Sequence, residues 1–122
     1  MADSDLTAIR RKALRRGRMS EYVAAVFLML KGYRILALRH RTRLGEIDII
    51  ARKGDLAVFV EVKARRGEAA AVDAVSIAAQ KRIRAASDLW LARQADQARL
   101  SLRYDILAIM PGRLPRHFID AF

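Results

Sequence analysis

Two neighbouring apolar segments, residues 44–51 and 56–63, carry acidic side chains inside an alternating pattern. The first reads Leu-Gly-Glu-Ile-Asp-Ile-Ile-Ala, and the second reads Leu-Ala-Val-Phe-Val-Glu-Val-Lys. Alternation of β-branched and polar residues is typical of strands, and the intervening Arg-Lys-Gly-Asp is a short turn sequence. The pattern predicts an antiparallel hairpin, which restricts the fold of this chain more than any other feature.

The predicted hairpin determines which side chains meet. Because strand side chains alternate between faces, Glu46 and Asp48 are expected on one face. Ile47 and Ile49 are expected on the other face. Opposed Cβ atoms of paired strands lie roughly 5 Å apart, so a suitable register brings Asp48 close to Glu61. The sequence does not determine that register.

Asp48 and Glu61, with Lys63 on the same face as Glu61, are suited to phosphate chemistry. Carboxylates inside apolar strands are costly unless they are paired or bind a metal. Two carboxylates that share a site repel each other and favour a divalent cation. A bound cation activates water and polarises a phosphoryl oxygen, and a lysine stabilises developing negative charge. The alternative is an ordinary hairpin with one solvated face, on which these charges are solvated or form a salt bridge.

Composition narrows the chemistry further. The chain of 122 residues has the length of one domain and contains no cysteine, which excludes disulfide, iron–sulfur and cysteine–zinc sites. With only two histidines, the remaining metal chemistry is a carboxylate site for Mg²⁺ or Mn²⁺. The net charge of +11 indicates an anionic partner, first nucleic acid and second an anionic membrane surface, unless the protein is simply basic.

The remaining elements follow from hydrophobic periodicity and turn residues. A basic extension over residues 1–16 precedes a single domain over residues 17–122. The predicted helices are residues 17–31 and 72–94, the predicted strands are residues 33–38, 44–51, 56–63, 100–110 and 117–121, and residues 39–43 and 64–71 are predicted loops. This order predicts a mixed α/β domain with one sheet and helices packed against it.

Apolar side chains on the two predicted helices indicate which faces pack against the sheet. The expected core face of the first helix consists of Val23, Val26, Phe27 and Leu30. On the second helix, Trp90 repeats at helical spacing with smaller apolar residues and is interpreted as core packing.

The hairpin resembles the motif of the PD-(D/E)xK nucleases, the restriction-endonuclease-like superfamily. Asp48 is followed by Glu61-Val62-Lys63 at the end of an apolar strand, as in that motif, and Ile47 stands in the place of the motif's proline. The order of helix, three strands, helix and strand is also that of the superfamily core. The resemblance therefore implies a central mixed sheet flanked by helices.

A closer resemblance, from about residue 16 to the last residue, is to the small bacterial YraN (UPF0102) family. The matching segments are Gly17-Arg18 with Glu21, Gly32-Tyr33, Gly45-Glu46-Ile47-Asp48, Phe59-Val60-Glu61-Val62-Lys63, Tyr104-Asp105 and Asp120-Ala121-Phe122. This family is known by its fold rather than by an established reaction. It implies a nuclease-like fold, with nuclease activity as an expectation.

The resemblance also implies roles for five candidate catalytic residues. Asp48 and Glu61 match the carboxylates that bind Mg²⁺ or Mn²⁺, and Lys63 matches the motif lysine. Glu21 matches a first-helix glutamate that adds a further carboxylate to the metal in resolvase-like branches. Gln80 matches a glutamine beside the active site, although the residue before it is alanine where relatives often carry lysine. Glu21 and Gln80 are equally consistent with ordinary polar positions on helix surfaces.

Three basic clusters near the motif are candidates for binding nucleic acid. They are Arg39, Arg41 and Arg43 before the acidic strand, Arg65 and Arg66 after Lys63, and Lys81 and Arg84 on the second helix. Each cluster alone is also consistent with a solvated face. Asp105, inside an apolar strand, is expected to satisfy a buried arginine or backbone group rather than to act in catalysis.

The expected function is a metal-dependent phosphodiester hydrolase, resolvase-like on branched DNA. The alternative is a catalytically silent nucleic-acid-binding module of the same fold, and a third hypothesis is an interaction protein whose basic face docks on an acidic partner or membrane. The expected partner is nucleic acid, with DNA favoured over RNA, no membrane partner is expected, and a homodimer is left open. No apolar run is long enough to span a bilayer and no export signal is visible, so a cytoplasmic location is expected.

Overall fold

The structure, a computed structural model, describes residues 2–64 and 75–122, with the backbone alone for residues 2–6 and 9–16. Its elements are α1 (Ala2–Leu30), β1 (Arg34–Thr42), β2 (Gly45–Lys53), β3 (Leu56–Ala64), α2 (Ile77–Ala92), a 3₁₀ turn (Gln97–Arg99), β4 (Ser101–Ile109) and β5 (Arg116–Phe118). The order of helix, three strands, helix and two strands confirms the predicted mixed α/β class.

One five-stranded sheet, in the order β1-β2-β3-β4-β5, organises the described residues. The first three strands form an antiparallel meander, β3 and β4 are parallel, and β5 is antiparallel to β4. Parallel strands need a crossover connection, and α2 lies in the connection between β3 and β4.

A helix packs on each face of this sheet, so that the core has two layers. On one face, Leu28 of α1 belongs to a cluster with Ile49 and Val60 of the sheet. On the other face, Trp90 of α2 belongs to a cluster with Phe59, whose ring it meets edge to face at 5.6 Å. The core role predicted for Trp90 is confirmed.

Several predicted boundaries are wrong. α1 begins at Ala2 rather than at residue 17, because Gly17 is tolerated inside a helix at a modest cost. β1 continues to Thr42, so residues 39–42 lie on a strand and not in a loop. α2 begins at Ile77, after Ser76 accepts a hydrogen bond from the N–H of Ala79 at 3.1 Å. The predicted helical and loop residues 65–74 lie outside the described residues.

The predicted core face of α1 is also wrong in part. Val23, Val26 and Leu30 are 40%, 50% and 83% exposed, whereas Ala24 and Leu28 are fully buried. Apolar residues occur on both sides of this helix, and the helix approaches the sheet through the side that carries small residues. Periodicity alone does not distinguish two apolar faces of one helix.

Gly45, the first residue of β2, allows α2 to approach the sheet closely. A Cβ at this position would lie 3.0 Å from the carbonyl oxygen of Arg82, so we expect Gly45→Ala to displace the helix and to lower the free energy of unfolding by about 1–3 kcal/mol. Urea titration followed by circular dichroism measures the change. The control is Gly17→Ala, since no heavy atom lies within 4 Å of that Cβ, and a gain of up to about 1 kcal/mol is expected. Equal stability of the two variants would contradict the close approach.

Candidate carboxylate site

The site lies where the regular pairing of the first three strands changes. Leu38, Ile49 and Val60 form one row across β1, β2 and β3. The next row contains Arg39, whose φ of +48° lies in the left-handed region that few arginines occupy. Backbone strain of this kind clusters at functional sites.

The expected alternation along β2 fails at this row. Ile49 belongs to the core cluster on the α1 side, whereas Ile47 belongs to the cluster on the α2 side. The prediction that both isoleucines share a face is therefore wrong. Along β3, in contrast, Val60 and Val62 both pack with the α1-side cluster, so of these two strands only β2 changes face, at the point where its pairing with β3 ends.

The side chain of Asp48 bonds to the backbone of β3 at this point. The pairing between β2 and β3 ends at Ile49 and Val60, and the carboxylate Oδ2 of Asp48 accepts a hydrogen bond from the N–H of Val62 at 2.8 Å. A side-chain oxygen thus satisfies an N–H group beyond the last pair of this ladder. The Asp48 carboxylate is held between the separating ends of β2 and β3.

Glu61 and Lys63 adjoin Asp48 from β3. Glu61 follows directly after Val60, the partner of Ile49, so it occupies the same row as Asp48. The Nζ atom of Lys63 lies 3.1 Å from Oε1 of Glu61, and the two side chains are 21% and 15% exposed. The structure therefore brings together three of the five predicted catalytic residues.

The surroundings of Asp48 disfavour its negative charge. Burial is the largest cause, followed by the nearby charge of Glu61, and together they raise the pKa of Asp48 to about 7. The hydrogen bond from Val62 and the positive charge of Lys63 oppose this rise, while the charge of Glu21 adds to it. Two neighbouring carboxylates with too little positive charge beside them form a site that attracts a cation.

Glu21 on α1 is held by an arginine of the sheet. Its Oε2 atom lies 3.2 Å from Nε of Arg39, which places the charge of this predicted nucleic-acid-binding arginine in an ion pair. Burial, only partly offset by Arg39, raises the pKa of Glu21, and the charges of Glu46 and Glu61 raise it further. No local sequence pattern predicts this pairing, because α1 and β1 meet only in the folded chain.

The donor set fits a hard divalent cation held by two carboxylates. Among the hydrogen bonds of the described residues, Oδ1 of Asp48 and Oε2 of Glu61 have no partner, so one oxygen of each group is free to bind. Mg²⁺ is commonly bound by one or two carboxylates, with water and substrate phosphate completing the shell. Within residues 2–64 and 75–122, no group of three or more acidic or histidine side chains is placed to hold a metal ion.

Gln80, the fifth predicted catalytic residue, lies in the first turn of α2. Its Nε2 atom donates a hydrogen bond to the carbonyl oxygen of Val75 at 3.2 Å. The amide therefore bonds to the backbone just before its own helix. The structure gives no contact between this amide and the three residues brought together above.

The other predicted nucleic-acid-binding residues are placed differently from one another. Arg41 lies 3.8 Å from Glu46 with its side chain 81% exposed, and Lys81 is exposed. Arg84 stacks over the ring of Tyr104 at 4.4 Å. Arg65 and Arg66 lie outside the described residues.

Sequence inspection missed a basic cavity near the turn between β1 and β2. It has a volume of about 450 Å³, and it is lined by His40, Arg41, Thr42, Arg43, Leu89 and Arg93. The hydroxyl of Thr42 accepts hydrogen bonds from the N–H groups of Leu44 and Gly45, both at 3.1 Å, which fixes the turn. Arg93 comes from the end of α2, too distant in sequence to be grouped with the turn.

Asp105 has the structural role predicted for it. It is fully buried, and its two oxygens accept hydrogen bonds from Nε and Nη2 of Arg103 at 2.9 and 2.7 Å. Nε2 of His117 lies 2.6 Å away, and the N–H of Asp120 donates at 2.9 Å. Lys31 can only donate to Nδ1 of His117, so Nε2 carries the proton that is donated to Asp105.

No helix among the described residues is long and apolar enough to cross a membrane.

Comparison with known proteins gives consistent results. The model of the uncharacterised protein family UPF0102 matches residues 20–109. A UPF0102 protein of Rhizobium johnstonii is 94% identical over 122 residues, covering all of both chains. A UPF0102 protein of Agrobacterium fabrum is 66% identical over 93% of each chain, and one of Mesorhizobium japonicum is 60% identical over 95% of this chain and 93% of its own.

Proposed function

We propose that this chain, which belongs to the uncharacterised protein family UPF0102, is a nucleic-acid-binding protein that hydrolyses phosphodiester bonds with Mg²⁺ or Mn²⁺. The observation that supports this most directly is the position of Asp48 and Glu61. The two carboxylates share a row at the point where β2 and β3 separate, and Lys63 is 3.1 Å from Glu61.

The fold supports the same proposal. The sequence resembles the PD-(D/E)xK nucleases through Asp48 and the segment Glu61-Val62-Lys63, and the element order of the structure agrees with a restriction-endonuclease-like core. Fold alone does not imply function. The argument for activity therefore rests on the side chains of the site.

The proposed roles follow from the chemistry of these side chains. Asp48 and Glu61 would hold the divalent ion, which would lower the pKa of bound water and neutralise charge on the phosphate. Lys63 donates hydrogen bonds to the attacked phosphate or to the attacking water, and its charge stabilises the pentavalent transition state. Glu21 is held near the site by Arg39, where it would add a further carboxylate to the metal, as the resemblance implies.

The positive charge of the chain supports a polyanionic substrate. The net charge is +11, and the exposed side chains of Arg41, Arg43 and Lys81 are available to phosphate groups. Neutralised phosphates supply most of the non-specific affinity for nucleic acid. DNA, including branched DNA, is the substrate that the resemblance favours.

Cleavage of defined substrates tests the activity. The purified protein is incubated with a four-way DNA junction, duplex and single-stranded DNA in Mn²⁺, in Mg²⁺ or in a chelator, and products are resolved on denaturing gels. We expect metal-dependent cleavage that Glu61→Gln lowers by about 100-fold or more, since even residues behind metal ligands are worth 10–100-fold. Glu46→Gln is the control, because Glu46 is exposed and its ion pair with Arg41 is long, at 3.8 Å. A wild-type protein as inert as Glu61→Gln on every substrate would refute the activity.

The second candidate function is a binding module without turnover. The ion pair between Lys63 and Glu61 favours it, because each charge then has an opposite charge beside it without a metal. It predicts binding that needs no metal and weakens steeply as salt rises. Fluorescence anisotropy with labelled DNA in chelator, at increasing salt, distinguishes it from the nuclease when no cleavage occurs.

A further inference from the structure

One side of α1 exposes a continuous row of large apolar side chains. They are Met19 (63% exposed), Tyr22 (51%), Val23 (40%), Val26 (50%), Met29 (51%) and Leu30 (83%). We call these six residues the α1 stripe. The stripe spans about 17 Å of helix at 1.5 Å per residue.

The α1 stripe lies opposite the side of α1 that packs on the sheet. Its members recur at spacings of three and four residues, which confines them to an arc of about 120° on a helix of 3.6 residues per turn. The buried residues Ala24, Ala25 and Leu28 fall outside that arc. A helix that is apolar on both sides is normally covered on both.

The α1 stripe is larger than a monomer usually exposes. At the exposures given above, its six side chains present on the order of 700 Å², against roughly 300–600 Å² for the largest apolar patch on a typical monomer. A standard protein–protein interface takes roughly 800 Å² from each partner. The area therefore approaches what one side of a stable dimer needs.

We propose that the α1 stripe is covered by the same stripe of a second copy of this chain, with the two helices antiparallel. A two-fold axis makes one patch serve both partners, and 3–4 spacing is the pattern with which two helices interdigitate. The antiparallel direction follows from charge, because residues 10–18, just before the stripe, contain six arginines and lysines. Parallel helices would set these segments side by side, whereas antiparallel helices place them at opposite ends.

This pairing does not depend on the proposed nuclease activity. Only one consequence rests on the proposed function: Glu21 adjoins Tyr22 on the same helix, so a dimer carries two carboxylate sites in one fixed arrangement. The tests below measure association alone, and a failure of the nuclease proposal leaves their outcome unchanged.

Sedimentation equilibrium tests the dimer, with protein that has been freed of nucleic acid. The protein concentration runs from roughly 1 to 100 μM, the range in which an interface of this size is expected to associate. The wild type is expected to be a dimer, and Val26→Glu is expected to weaken dimerisation by about 100-fold or more, since pairing then buries two charges. Leu114→Glu, at a site 83% exposed between β4 and β5, is expected to leave the dimer unchanged. Thermal melts of both variants check that each is folded. A monomeric wild type, or a folded Val26→Glu as dimeric as the wild type, overturns the proposal.

Disulfide trapping tests the direction of the helices. Since the chain has no cysteine, any disulfide must form through the introduced cysteine, and its position is therefore known. In the antiparallel pair, Met19→Cys mixed with Leu30→Cys is expected to give crosslinked heterodimers, whereas either variant alone gives few crosslinks. Crosslinking of each variant with itself but not with the other contradicts the antiparallel pair. Flotation of monomeric wild type with anionic vesicles, lost in Val26→Glu, would overturn the second copy as the occupant.

Discussion

Asp105→Asn is expected to lower the free energy of unfolding by about 3–5 kcal/mol, the usual cost of removing one partner of a buried ion pair. The amide cannot accept from both arms of Arg103, which donate to Asp105 at 2.9 and 2.7 Å. It also removes the negative charge to which His117 donates. Since Asp105 is fully buried, water cannot replace these bonds.

Guanidinium titration of the wild type and Asp105→Asn measures this loss. The matched control is Asp96→Asn, which also breaks a 2.7 Å contact with an arginine, here Arg52, but at the surface. Surface pairs contribute little, so the control is expected to change far less. A loss at Asp105 no larger than that at Asp96 would contradict the buried network.

The same network predicts how stability changes in acid. Burial alone would raise the pKa of Asp105, but the hydrogen bonds from His117, Arg103 and the N–H of Asp120 outweigh it, so the pKa lies below its ordinary value. A lowered folded-state pKa contributes stability that is present above pH 4 and is lost as the pH falls through the folded pKa. Asp105→Asn is expected to lack this part of the acid transition.

Asp48→Asn is expected to act in the opposite direction and to stabilise the metal-free protein at pH 8, by on the order of 2 kcal/mol. Burial and the charge of Glu61 raise the pKa of Asp48 from 3.8 to about 7. Stability from such a raised pKa is fully present below pH 3.8 and is lost as the pH rises through 7. An asparagine keeps an oxygen for the N–H of Val62 and carries no charge at any pH.

Unfolding titrations between pH 4 and 8, in a chelator, measure this effect as a gap between the two proteins that widens with pH. Glu46→Gln is the control, since Glu46 is exposed beside Arg41, and no such gap is expected. Added Mg²⁺ or Mn²⁺ is expected to stabilise the wild type, because it binds only the folded site, and to leave Asp48→Asn unchanged. The same variant is expected to abolish cleavage. If the variant is less stable than the wild type at pH 8, or is equally stabilised by the cations, the charge of Asp48 does not destabilise the fold or does not bind a cation.

Much of the fold was predictable because its signals are local. Alternating residues and the turn before Asp55 define β2 and β3, and β4 follows from its apolar run. The adjacency of Asp48 and Glu61 was a matter of register, and the pairing of Ile49 with Val60 brings them together. The roles of these residues in binding metal remain predictions.

The features that sequence did not predict depend on contacts between distant segments. The left-handed conformation of Arg39 is rare for arginine, and its pairing with Glu21 needs α1 and β1 to be docked. β1 also extends to Thr42, through residues whose basic sequence is typical of a loop. For α1, two apolar sides gave equal signals, and only packing identifies Leu28 as buried and Leu30 as exposed.

The partners of Asp105 also connect the last strand to the interior of the sheet. Residues 116–122 supply His117, the N–H of Asp120 and the ring of Phe122, which lies 5.6 Å from that of Tyr104. These groups lie C-terminal to β4, whereas Arg103 lies on β4 itself. If residues 116–122 alone detach from the sheet, Arg103 remains as the side-chain partner of the buried carboxylate among the described residues, so loosening of this short segment weakens the interior of the sheet as well as its edge.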